Sequence, residues 1–400
     1  MTRILDADRH VMEPMSLWAE YLPADLRSRA PYLVDARPEG TFEERVNRYG
    51  PKALFPLRPT LMYEGEPAWS RMSQHAQVEL SWSAHQRRAE AAAASDPEGQ
   101  LASMARFGVH VAFLYPTLSL YLLGMDTLRA GVGAALAAAY NDWLREYCSR
   151  DPGRLRGVGL LSTHDPASMA AEAERVAGFG WTAVTLLPNQ VQGRGLSDPA
   201  YDPLWATCER LSLAVAVHAA THTRLPAAGA GRFESHFALH ACAHPMEQMM
   251  AFLALVEGGV LERHPRLRVG FFESGCGWVP YWLHRLDEVE YAHYADEVRD
   301  TVKRKPSEYF RRQCFVVIEP DEPYLPAMVS HIGADNLLFG TDYPHGDHGD
   351  DMVDKALRLA EVLPDDVVRK ILWDNPARFY GLGDEIAQEG AGGGRRPARP

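Results

Sequence analysis

Eight short aliphatic and β-branched runs recur along the 400 residues, and longer helical patterns separate them. The runs fall at about Arg3–Ala7, Val109–Leu114, Arg156–Leu161, Thr182–Leu187, Ser212–Val217, Leu267–Phe272, Cys314–Ile318 and Asn336–Gly340. Several are apolar throughout, as strands buried on both faces should be. Helical patterns cover Leu128–Ser149, Pro166–Gly178, Pro199–Leu211, Pro245–Gly258, Trp278–His293, Glu322–His331 and Met352–Val362. Strand and helix in alternation imply a parallel sheet. Eight such units predict an α/β fold, a (β/α)8 TIM barrel, whose usual length is about 250 residues.

The surplus length has a place. About 100 residues separate strand one from strand two, too many for one loop. Residues 12–75 are rich in proline and aromatics, among them Pro14, Trp18, Tyr21, Pro59 and Trp69. Helical patterns follow over Glu79–Ala94 and Pro97–Phe107. Residues 12–105 therefore read as a long insertion that lids the barrel mouth. The alternative, an independent N-terminal domain, is disfavoured because strand one precedes this stretch. One barrel domain then spans 1–380. The glycine-rich end, 383–400, is expected to be a disordered tail.

Charge and cysteine usage exclude some function classes. Lys plus Arg number 41 against 53 Asp plus Glu, a net charge of −12. That argues against nucleic-acid binding, which needs concentrated basic residues. No apolar run approaches the ~20 residues of a membrane span. Asp6 interrupts the N-terminus before any signal-type stretch forms. Cys148, Cys208, Cys242, Cys276 and Cys314 are scattered and odd in number. They read as free thiols of a cytoplasmic protein. A small-molecule substrate is the expected partner.

In a barrel, chemistry gathers at the carboxyl ends of the strands. Strand one runs into Asp8 and His10, two residues apart and so on one side of an extended chain. Strand five ends in His218, and strand eight runs into Asp342. Two imidazoles and two carboxylates at one mouth form a divalent-metal set. Singly, Asp8 could be a helix cap and His218 a core histidine.

More histidines crowd the same rim: His164, His222, His240, His244, His345 and His348. His164, His240, His244 and Trp278 are candidate substrate contacts, although Thr163-His164-Asp165-Pro166 also suits a helix entry. His264 and His331 fall at the opposite end and read as structural. Glu273 emerges from Phe271-Phe272, where desolvation would suit a general acid or base. Alternatively it pairs with Arg9 or another basic residue and only braces the rim. Cys276 reads as packing. Glu319, ending strand seven, would order a ligating histidine or touch substrate.

The segment Leu5-Asp6-Ala7-Asp8-Arg9-His10-Val11-Met12-Glu13-Pro14 resembles the opening motif of the amidohydrolase-related metal-dependent hydrolases. The resemblance is closest to the branch of aminocarboxymuconate-semialdehyde decarboxylase and γ-resorcylate decarboxylase. Leu261-Glu262-Arg263-His264-Pro265-Arg266-Leu267, Glu273-Ser274-Gly275, Phe339-Gly340-Thr341-Asp342-Tyr343-Pro344-His345 and Asp374-Asn375-Pro376-Ala377-Arg378 fit it too. It implies a distorted (β/α)8 barrel, commonly dimeric, holding one divalent ion, zinc first and manganese second. It also implies that His10, His218 and Asp342 are ligands. Asp8 stands where decarboxylase relatives have His or Glu. One position departs: several decarboxylases carry His-Gly after strand six, and this chain has Glu273-Ser274.

The leading expectation is therefore a metal-dependent hydrolase acting on a small aromatic or unsaturated acid, amide or ester. A metal-activated water would attack, with Asp342, Glu273 and His218 as catalytic residues. The alternatives are non-oxidative decarboxylation of an aromatic or enol acid, and metal-assisted condensation or ring closure in natural-product biosynthesis.

Overall fold

A computed structural model describes residues 2–346 and 349–383. The tail expected at 383–400 lies almost wholly outside the described residues, as does His348.

All eight expected strands form. They are β1 (Leu5–His10), β2 (Val111–Tyr115), β3 (Leu155–Gly157, continued by Gly159–Leu160) and β4 (Ala183–Leu186). Then come β5 (Ala214–His218), β6 (Arg268–Phe272), β7 (Cys314–Ile318) and β8 (Leu337–Phe339). Every neighbouring pair in the two barrel ladders is parallel. The ladders run β1–β2–β3 and, from the second part of β3, on to β8. The barrel is distorted at two seams. One lies at Val158, inside β3. The other lies between β8 and β1, where loop atoms replace a ladder: Asp8 O accepts from Thr341 N and Asp342 N, and His10 N donates to Tyr343 O.

Alternation divides the side chains into two cores. Leu5, Ala7, Phe113, Ala183, Ala216, Phe272 and Leu338 fill the barrel interior with Phe379 and Tyr380. Ala112, Leu114, Val184, Val215 and Phe271 face the helices. Buried apolar area of this extent is the main stabilising term, at roughly 25 cal/mol per Å².

β1 differs from expectation. It runs to His10, beyond the expected Ala7, so Asp8 and His10 belong to the strand itself. Its pairing with β2 slips between Asp6 and Arg9, a β-bulge. The expected helix Glu79–Ala94 is two, Gln74–Gln86 and Arg88–Ala94, the first capped by Ser73. The expected Trp278–His293 helix is regular only to Arg285 and then widens over Leu286–Tyr291.

The stretch between β1 and β2 carries a small antiparallel sheet, Tyr32–Val34, Thr60–Tyr63 and Glu66–Pro67, besides its helices. Leu17, Trp18, Leu61 and Met104 from this stretch share one core with Leu136 and Tyr140 of the helix Ala130–Cys148. No described helix is long and apolar enough to cross a membrane. All five cysteines are free and buried.

Candidate metal centre

Four side chains converge at the carboxyl end of the barrel: Asp8 and His10 from β1, His218 from β5 and Asp342 beyond β8. His10 Nε2 stands 3.5 Å from Asp8 Oδ1 and 3.2 Å from Asp342 Oδ1. His218 Nε2 stands 3.4 Å from the same Asp8 oxygen. All four residues are buried.

The rings are held from behind. His10 Nδ1 donates to Pro116 O at 2.8 Å, and His218 Nδ1 donates to Ala219 O at 2.8 Å. In the neutral rings this leaves both Nε2 lone pairs facing the common centre. Asp8 Oδ1, His10 Nε2 and His218 Nε2 are buried without a hydrogen-bond partner among the described residues. Buried polar atoms left in this way call for a ligand. The donor atoms of Asp8, His10 and His218 lie within 4.8 Å of one another, as do those of His10, Asp342 and His345, so His10 joins two trios whose nitrogens and carboxylates suit a divalent cation.

The electrostatics agree. Burial alone would raise the Asp8 carboxyl, but His218 and His10 reverse this and hold it at about 2. Burial would lower His10, yet Asp342 and Asp8 push it up to about 10. Burial would raise Asp342 as well, yet His345 and His10 bring it well below the carboxylate range. The pocket thus stabilises positive charge where the donors meet.

Close approach makes this possible. A Cβ built on Gly340 would fall 2.4 Å from Asp8 Cβ, so only glycine lets β8 lie against Asp8. Asp342 and Glu273 adopt φ of +51° and +55°. Non-glycine residues seldom hold that conformation unless the surroundings impose it.

A cavity of about 220 Å³ opens beside this cluster, with His218 and His345 in its wall. Arg58, Trp69, Leu80 and Tyr121 line it from one side. His222, His236, His240, His244 and Glu273 line it from the other. Burial, then the neighbouring His236 and His240, lower His222 to about 4, so this ring is neutral at neutral pH.

Of the expected substrate contacts, His240 and His244 reach the cavity. His244 is also engaged by the protein, through Nδ1 to Glu273 O at 2.7 Å and Nε2 to Thr221 Oγ1 at 2.6 Å. His164 and Trp278, also expected as substrate contacts, are not among the residues that line this cavity. His164 turns outward and places Nε2 2.8 Å from Met125 O. Trp278 is carried away by the reversal at Glu273 and Gly275, both at positive φ. It opens a helix and packs edge-on against Phe271.

Glu273 does not pair with Arg9. Its carboxylate stands 3.4 Å from His218 Nδ1 and 3.7 Å from His244 Nδ1, while Arg9 pairs with Asp6 outside the barrel. Glu322, not singled out by sequence, accepts from the Cys276 and Gly277 amides and the Cys276 thiol. Burial raises that thiol strongly, consistent with packing. His264 sits with Asp202 and Glu209, away from the mouth.

Three contributors escaped the sequence reading. Thr117 Oγ1 lies 3.0 Å from His345 Nε2. Glu13 accepts from the amides of Thr117, Leu118 and Ser119 and so shapes the loop after β2. His236 extends a histidine series spaced by four, with ring centroids 5.2 Å apart to His240 and 4.5 Å on to His244. The strand-end rule would have found Thr117, and the i, i+4, i+8 spacing His236.

The chain is similar to known proteins. The amidohydrolase family model matches residues 6–382. The chain belongs to the amidohydrolase family. Among curated amidohydrolase relatives, 2-amino-3-carboxymuconate-6-semialdehyde decarboxylase of Dictyostelium discoideum is 26% identical, over 62% of this chain and 67% of its own. γ-Resorcylate decarboxylase of Rhizobium radiobacter is 28% identical, over 56% of this chain and 71% of its own. A solved structure, 5-carboxyvanillate decarboxylase of Novosphingobium aromaticivorans with manganese and 4-hydroxy-3-methoxy-5-nitrobenzoic acid, superposes with a TM-score of 0.67. It is 18% identical and covers 95% of this chain and 96% of its own, a likeness of fold. This amidohydrolase is an enzyme whose relatives of known activity favour decarboxylation over the hydrolysis placed first by the sequence reading.

Proposed function

We propose that this amidohydrolase catalyses the non-oxidative decarboxylation of a small aromatic or enol acid. Asp8, His10, His218 and Asp342 hold one divalent ion. The observation that carries this reading is the run of close contacts from Asp342 through His10 and Asp8 to His218, which itself lines a cavity walled by Trp69 and Tyr121. The named decarboxylases among its relatives support it. The donor set accepts Zn²⁺ and Mn²⁺ alike, and the manganese of the 5-carboxyvanillate relative makes Mn²⁺ the first ion to test.

When bound, the ion supplies a positive centre that orients the substrate carboxylate and an adjacent hydroxyl. The carbon–carboxyl bond breaks, carbon dioxide leaves, and the electron pair left on carbon takes one proton. Asp342 and His345 carry that proton between Oδ1 and Nδ1, 2.7 Å apart. Thr117 fixes the far nitrogen of His345. Trp69 and Tyr121 hold the ring in place and keep water from the carbanionic carbon. Glu273 organises His218 and His244 rather than acting on substrate.

Hydrolysis is the second reading, favoured by Glu273 in place of the branch's histidine. The test is incubation of the metal-loaded enzyme with hydroxybenzoates and muconate-like acids. Decarboxylation releases carbon dioxide and places one deuterium from heavy water on the product carbon. Incorporation of ¹⁸O from labelled water without carbon dioxide would establish hydrolysis instead.

A further inference from the structure

Strand β1 changes its inward-facing parity part-way along. Leu5 and Ala7 lie in the barrel interior with Val111, Phe113 and Tyr115. Strict two-residue alternation would then turn Asp8 and His10 outward, toward the helices. The bulge prevents this. Asp6 pairs with Ala112 and Arg9 with Leu114, so three steps along β1 meet two along β2. A bulge of this kind re-aims the side chains that follow it. Asp8 and His10 thereby face the mouth, while Asp6 and Arg9 share the outer face.

That outer face is tied by a buried network. Arg9 and Asp6 are fully buried and 3.3 Å apart. The guanidinium also donates to Gln100 Oε1 at 3.1 Å, Ser103 Oγ at 2.5 Å and Thr341 Oγ1 at 3.4 Å. It lies 4.1 Å from the centre of the Tyr343 ring. Asp6 accepts from Asp8 N at 3.3 Å, Thr341 N at 2.9 Å and Thr341 Oγ1 at 2.6 Å. Gln100 Nε2 donates to His10 O at 2.9 Å. The network therefore grips the backbone of Asp8 and His10 on one side and the residue preceding Asp342 on the other.

A buried ion pair is weak evidence for stability, because neutral side chains of similar volume often serve as well. Its planar fork of donors is a better reason for its presence, since it fixes several acceptors at once. We infer that Arg9, with Asp6 and Gln100, is a positioning residue of the metal centre. It holds the β1 bulge in the register that aims Asp8 and His10 at His218 and Asp342. This inference rests on the metal reading proposed above.

The test is the double variant Asp6→Asn/Arg9→Met, which removes both charges together and strands neither. Mn²⁺ affinity is measured against a competing chelator, Co²⁺ coordination by visible absorption, and folding by thermal melting. The expected result is a folded protein whose Mn²⁺ affinity falls about 10–100-fold, as for other residues that support ligands from behind, with shifted Co²⁺ bands. Arg9→Lys, which keeps the charge but loses the fork, should stay weakened. Wild-type affinity and Co²⁺ bands in the folded double variant, or full recovery in Arg9→Lys, would overturn the inference. If the double variant does not fold, Gln100→Met reads the same quantity, and unchanged affinity there overturns it equally. A wild-type chain that binds no ion would instead defeat the metal reading itself.

Discussion

His345 Nδ1 lies 2.7 Å from Asp342 Oδ1, and the opposite nitrogen of the same ring reaches Thr117 Oγ1 at 3.0 Å. The loops after β8 and β2 are thus joined through one imidazole beside the four converging donors. In the proposed reaction, His345→Phe removes the partner that carries the proton with Asp342. We expect kcat to fall about 10²–10⁴-fold, the usual contribution of a positioned acid or base. Steady-state kinetics on metal-loaded protein decide this, and a kcat within threefold of wild type would reject the role.

Glu273→Gln keeps the shape of the side chain and removes its charge beside His218 Nδ1. If Glu273 orients His218, divalent-ion affinity drops about 10–100-fold. The kcat at saturating metal then stays within a few-fold of wild type. A large loss of kcat with unchanged affinity would make Glu273 a catalytic acid or base instead.

At the proposed metal site, a divalent ion would have to displace the proton that the neighbouring carboxylates favour on His10. Burial opposes that proton, but Asp342 and Asp8 raise His10 to about 10. Calorimetry at pH 8 in buffers of different ionisation heat should therefore show about one proton released per ion bound. A raised folded-state pKa contributes stability that is full below the unfolded value of about 6.5 and is lost as pH rises through the folded value. The melting temperature of chelator-treated protein should accordingly decline between pH 7 and pH 10. No proton release, together with a flat melting profile, would contradict the assignment.

Gly340→Ala places a methyl where Asp8 already sits. Overpacking of this kind costs about 1–3 kcal/mol, read as a lower denaturation midpoint. Metal affinity should fall with it, because β8 and Asp8 must separate. Unchanged stability would mean that the seam between β8 and β1 relaxes freely.

His164→Gln tests whether His164 touches substrate. The ring is buried against Met125 O, outside the cavity. KM should stay within twofold of wild type while the melting temperature falls. A raised KM with normal melting would return His164 to the substrate site.

Much of the molecule was legible in the chain. Aliphatic runs and helical periods marked all eight strands, because a strand covered on both faces must be apolar along its length. Asp8, His10, His218 and Asp342 stood out because each ends or follows a strand, where a barrel gathers its chemistry. Long-range pairing decided the rest. The bulge in β1 depends on register with β2, about 100 residues away in sequence, and no local pattern encodes it. Whether Arg9 meets Glu273 or Asp6 depends on which face of β1 it occupies, and the bulge sets that. Trp278 and His164 lie off the cavity because positive φ at Glu273 and an outward turn after β3 redirect the chain. Sequence alone determined which residues could bear the chemistry. The tertiary structure decided which of them meet, because convergence within 3.5 Å is a property of strand register and loop conformation.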